Sequence, residues 1–328
     1  MSHITHNEPH KELLMATAIT TLIALAGLYI PVVGFLVSAF VPLPILFYRS
    51  RLGRPQGALI LVAVTIIVAS ALRWRSMTST VCFFELGLIG LILSEVFEMD
   101  LSLEKTVAVT TGVVLGIGAV ILGLYGLVSA ESLWDQISNY LHGNLELALS
   151  IYREMDVSEE KIGILAQSME GILYVMLRIM PAIVIVSTLL VVWSNLLLAR
   201  PLLRSKKLFC PDFGALNKWK APEPLVWLVI LSGILVLLPH KGFKLLGVNG
   251  LIIMMTIYFF QGIAIVSFYF EKKQFPRILR GILYGLIAIQ QFVLLLVIAA
   301  GFFDVWIDFR RMKKGVNDKN ESDTQRDY

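Results

Sequence analysis

Charge is what this sequence has least of. Asp, Glu, Lys and Arg together make 16% of its residues, against about 25% in an ordinary soluble domain. Cysteine is nearly absent too. Cys82 lies in an apolar run and Cys210 in a basic loop, and no CxxC or Cys/His pairing exists, which argues against a disulfide scaffold. There is no Walker A loop, GxGxxG turn or HExxH helix. If the chain takes part in transport, it does not hydrolyse the nucleotide itself. Ser158-Glu159-Glu160-Lys161 fits S-x-x-K formally but lacks its companion motifs. No nucleophile–base pair emerges, so the chain is read as a non-enzyme without a cofactor. His3, His6 and His10 are loosely spaced, with no Cys or carboxylate framework, and are not read as a metal site. The net charge of +4 does not indicate a nucleic-acid partner, because the basic residues sit in loops beside apolar runs.

What fills the chain instead is apolar sequence, 57% of it. Thr106–Val128 and Ile282–Phe303 each exceed twenty residues without Asp, Glu, Lys, Arg or His. About twenty apolar residues cross a ~30 Å hydrocarbon core. In hydrocarbon the backbone must satisfy itself, so such runs are helices. The fold class follows: an all-α, polytopic transmembrane helical bundle of eight to nine helices, some short or re-entrant. The lipid bilayer is the first partner.

The organisation reads as a polar tail at 1–12, N-terminal transmembrane helices at 13–128, an acidic amphipathic helical insertion outside the membrane at 129–170, C-terminal transmembrane helices at 171–309, and a charged disordered tail at 310–328. Leu13–Ile30 is the first span. Val32–Tyr48, interrupted by Pro42 and Pro44, is a short irregular span or a re-entrant segment. Ala58–Leu72, Val81–Phe97 and Thr106–Val128 follow. In the insertion, Leu133, Ile137, Leu141, Leu145, Ala148 and Tyr152 recur at helical spacing. Ile172–Ala199, Leu225–Leu238, Leu245–Phe270 and Gly281–Phe303 complete the set. The 200–223 loop carries six basic residues and one acid before Glu223, which places it in the cytoplasm and the insertion outside. Whether the basic residues after Asp308 return to the cytoplasm depends on whether Leu225–Leu238 is a full span or re-entrant, and the sequence leaves both options.

Two small-residue stripes stand out. Gly112, Gly116, Ala119, Gly123 and Gly126 share one helix face, as do Ala16, Thr20 and Ala24. Such faces let helices approach closely. The first is read as tight packing. The second packs either inside the fold or against a partner. Polar groups at depth are costly and therefore site candidates. These are Glu85, Arg178, Gln261 and Asn195. Glu85 needs a partner if charged, and Arg178, Arg73 or Arg75 are the candidates. Gln290 and Gln291 are further amides at depth, used for interhelical hydrogen bonding. Asp304 and Asp308 are read as interfacial, where charge is cheap.

Several local patterns together resemble one family. They are Pro42-Leu43-Pro44 leading to Arg49, Gly53 and Gly57; Phe213, Trp219, Pro222 and Trp227; Phe260-Gln261-Gly262-Ile263-Ala264; and Gly301-Phe302-Phe303-Asp304-Val305-Trp306-Ile307-Asp308-Phe309-Arg310. With the acidic insertion ahead of Pro181, they look like the YybS-like family of uncharacterised bacterial membrane proteins. The N-terminal half is distantly similar to S components of energy-coupling-factor transporters. That likeness implies small-molecule binding or transport, a bacterial cytoplasmic (inner) membrane location, and an ATPase-bearing module docked on a stripe such as Ala16, Thr20 and Ala24. Glu85, Arg178, Gln261 and Asn195 then line the solute site. The rival reading is a scaffold or envelope-assembly protein that recruits partners through its small-residue faces and the 130–170 insertion.

Overall fold

The computed structural model describes residues 9–30, 33–72, 77–128, 132–155 and 158–310, and among these every regular element is a helix. Seven helices are long and apolar enough to cross a membrane, or up to eight if one bent pair counts as a span. The residues fall into two compact units. The first runs to Leu177 and includes Ser187–Asp212; the second comprises Arg178–Val186 and the chain from Phe213.

Unit 1 begins with α1 (Pro9–Tyr29), which starts earlier than the expected span. The irregular second span is α2 (Val33–Ser38) and α3 (Pro42–Leu52). Pro42 and Pro44 suit the first turn of α3, where no intrahelical N–H bond is due. Gly53, at φ 102, ends it in a conformation few other residues tolerate. Then come α4 (Arg54–Ala71), α5 (Met77–Glu98) and α6 (Leu103–Val128). The insertion opens with α7 (Leu133–Glu154), capped by the Ser132 hydroxyl, which accepts from the Trp134 N–H at 3.2 Å.

The helix that follows is the longest of the described elements. α8 (Glu159–Ser205) is one helix of 47 residues, about 70 Å at 1.5 Å per residue. That is more than twice a ~30 Å core. The expected boundary at 170 therefore falls within a continuous helix.

Unit 2 holds α9 (Leu225–Leu237), α10 (Lys241–Lys272), α11 (Arg277–Ile289) and α12 (Gln291–Ile307). The single span expected at Gly281–Phe303 is in fact α11 and α12, bent by 99° at Gln290. Gln290 and Gln291 thus lie exposed at a bend rather than in an interhelical contact. α12 meets α10 backbone to backbone. A Cβ on Gly262 would collide with the Val297 carbonyl, and one on Gly301 with the Tyr258 carbonyl. The segment before α9 binds the ends of both helices: Asn217 donates to Glu271, and Lys220 pairs with Asp308 at 2.7 Å. The chain between Glu271 and Asp308 therefore leaves and returns to the same end of unit 2. Residue 310 lies with the 213–221 segment.

Candidate functional site

In unit 1 the largest fully buried side chain is Arg49, 1% exposed at the end of α3. It reaches the last turns of α5, where it pairs with Glu95 and Glu98 and donates from Nη1 to the Ser94 carbonyl at 3.2 Å. Arg54 closes the cluster from α4, at 3.1 Å to Glu95 and 2.9 Å to Glu98. Beside it, Arg51 pairs with Glu12 of α1 at 2.6 Å, in a cleft of about 180 Å3 lined by Lys11, Glu12, Met15, Tyr48 and Arg51.

Glu85 stands apart. It is half-buried on α5, and a Cβ on Gly118 of α6 would lie 2.5 Å from its Oε1. Among the described residues no hydrogen bond or ion pair holds it. Arg73 and Arg75, two of its expected partners, lie outside those residues, as do His3 and His6. The third, Arg178, belongs to unit 2.

Three amides, Asn195, Asn249 and Gln261, bond to backbone. Each completes backbone where a helix is interrupted. Asn195 of α8 is fully buried and donates to the Ala39 carbonyl at 2.8 Å, in the break between α2 and α3. Asn249 of α10 brackets Pro181: it accepts from the Ala182 N–H at 2.8 Å and donates to the Arg178 carbonyl at 2.9 Å. Gln261 accepts from the Ala221 N–H at 3.1 Å and donates to Asp304 at 3.1 Å. Gln261 lies ten residues before Glu271, about 15 Å along the helix. That is half a ~30 Å core. Non-helical backbone survives at such depth only where protein satisfies it, and here side chains do so.

Asp304 and Arg310 complete this node. They form a 2.7 Å ion pair with both side chains at 0% exposure. Arg310 also donates to the Asn217 and Trp219 carbonyls, each at 2.9 Å, and Asp304 accepts from the Phe309 N–H at 2.9 Å. Asp308, in the left-handed conformation at φ 45, turns the chain so that Arg310 folds back on Asp304. Two expectations are corrected. Asp304 is not interfacial, and Arg310 belongs to the fold rather than to a tail.

The four expected solute ligands divide between the two units. Glu85 and Asn195 are in unit 1, Arg178 and Gln261 in unit 2. Within unit 2, Arg178 meets α10 at Asn249, twelve residues from Gln261, about 18 Å along the helix. Arg49, Asn249 and the Asp304–Arg310 pair were missed as structural centres. Ala16, Thr20 and Ala24 are buried inside unit 1, one of the two placements expected of them, with the Thr20 hydroxyl donating to the Ala16 carbonyl at 2.7 Å. On α6, a Cβ at Gly112, Gly116 or Gly123 would meet nothing within 4 Å, Ala119 is exposed, and Gly126 is half-buried.

The chain is 24% identical over 266 residues to "Uncharacterized protein YybS" of Bacillus subtilis (strain 168), covering 78% of this chain and 82% of that one. No solved structure matches it. Residues 18–305 match the family described as "Predicted membrane protein (DUF2232)", and the chain belongs to that family of membrane proteins.

Proposed function

We propose that this is a non-catalytic assembly protein of the bacterial cytoplasmic membrane, which recruits a transmembrane helix of a partner onto the small-residue face of α6. One observation carries the reading: Gly112, Gly116 and Gly123 face open space, whereas the α1 stripe is buried. Helices gain nothing hydrophobic by associating in lipid, so close backbone approach is what holds them. The outward arm of α7 and α8 adds exposed Trp134, Tyr140, Ile151 and Tyr152 beyond the spans. The test is G112L/G116L/G123L in the full-length chain, followed by the size of its complex in mild detergent. The expected result is a folded protein that runs smaller than wild type. An unchanged complex overturns the reading.

A second reading rests on Glu85, an acid at membrane depth without a described partner. It is passage of a proton or small solute along the α5–α6 face. In that case Glu85→Gln abolishes proton or solute movement in sealed vesicles and leaves the complex intact.

A further inference from the structure

The bend at Gln290 differs from the other interruptions of the backbone. Those are completed by Asn195, Asn249 and Gln261, each from a neighbouring helix. At the bend two backbone bonds remain. Gln290 N–H donates to the Leu286 carbonyl at 2.8 Å, and Leu294 N–H donates to the Gln290 carbonyl at 3.0 Å. The N–H groups of Gln291, Phe292 and Val293 open α12 with no backbone acceptor among the described residues. The side chains of Gln290 and Gln291 are exposed, and neither amide has a partner among those residues.

The bend lies inside the hydrocarbon. α12 ends beside the end of α10, where the Tyr269 hydroxyl donates to the Phe309 carbonyl at 2.8 Å. On its way there it packs Gly301 against Tyr258 and Gly262 of α10. Gln291 is ten residues before Gly301, so α12 starts about 15 Å deeper still. α11 runs down to it from the end of α10. Its thirteen residues reach about 20 Å, short of the far side of a ~30 Å core. Lipid offers no hydrogen bonds, so the open groups at the bend require protein or water. The surroundings select protein. Ile289 and Phe292, on either side of the two amides, are 83% and 75% exposed, and Ile282, Leu286 and Leu296 extend the apolar surface.

We infer that a second copy of this chain covers the bend, its Gln290 and Gln291 hydrogen-bonded to those of the first about a twofold axis. An amide carries both donor and acceptor, so one such surface is complementary to itself. The backbones can also come close. A Cβ at Gly281 or Gly285 of α11, four residues apart, would meet nothing within 4 Å. That spacing lets two identical helices pack tightly in lipid. The α6 face belongs to unit 1 and takes no part in this contact.

The test is disulfide cross-linking of the full-length chain in native membranes, with Cys82 and Cys210 replaced by Ala. Q290C is expected to give a species of twice the chain's mass. L231C, at an exposed position on α9, is expected to give little of it. No doubled species at Q290C overturns the inference, as does an equal yield at L231C or an adduct of any other mass. Native mass spectrometry of the purified protein reads dimer against monomer independently. Q290L/Q291L removes both amides without removing a side-chain bond within the chain. Its dimer is expected to dissociate roughly tenfold more readily than that of wild type, whereas G112L/G116L/G123L keeps the wild-type dimer. A monomeric wild type overturns the inference, as does an undiminished dimer in Q290L/Q291L or a dimer lost in G112L/G116L/G123L.

Discussion

Arg49 of unit 1 and Arg310 of unit 2 are both buried arginines paired with carboxylates, yet they stand in opposite situations. The acids around Arg49 are 30% and 48% exposed and share a second cation, Arg54. Asp304 and Arg310 are wholly desolvated and also hold the backbone of residues 217–221 in place. The first is a redundant clasp at the end of a helix bundle. The second is a single fastener at depth. Taking two charges out of water is expensive, and removing one partner leaves the other stranded.

That contrast orders the expected effects. Arg310→Met strands Asp304 and frees two carbonyls, a loss of about 3–5 kcal/mol, seen as a collapse in thermal stability or in monodisperse yield. Adding Asp304→Leu to it recovers part of the loss. Arg49→Met leaves Arg54 to hold both acids and costs less, about 1.5–3 kcal/mol, seen as a moderate drop in unfolding temperature. If Arg49→Met proves the more damaging, the contrast fails. Gly262→Ala forces α10 and α12 apart at about 1–3 kcal/mol, whereas Gly116→Ala on the open α6 face stays within about 0.5 kcal/mol. The smallest effect concerns reactivity. Burial pushes the Cys210 thiol up, with Arg204 and Arg200 pulling less strongly the other way. Its thiolate is therefore scarce at neutral pH, and alkylation should be slow there and accelerate as pH rises.

The spans were legible because lipid imposes one rule on all of them, and long apolar runs obey it. The proline breaks at Pro42 and Pro44 were legible for a similarly local reason. The bend at Gln290 was not, since neither Pro nor Gly marks it inside a continuous apolar run. The burial of Arg310 was hidden by its charged neighbours and depends on the left-handed turn at Asp308. Asn195 and Gln261 were recognisable as polar groups at depth. Their partners were not, because the backbone they complete lies 156 and 40 residues away. A ligand site and a repaired helix break call for the same residue types, and only the structure separates them.

The central claim is that the amides buried in these spans fasten interrupted backbone, while Glu85 holds nothing together. Thermal unfolding of Gln261→Leu beside Glu85→Leu, in the same detergent, tests it most directly. Gln261→Leu should unfold at a clearly lower temperature, because it orphans the Ala221 N–H and removes a bond from Asp304, and Glu85→Leu should match or exceed wild type. A wild-type unfolding temperature for Gln261→Leu, with a marked loss for Glu85→Leu, would contradict the account.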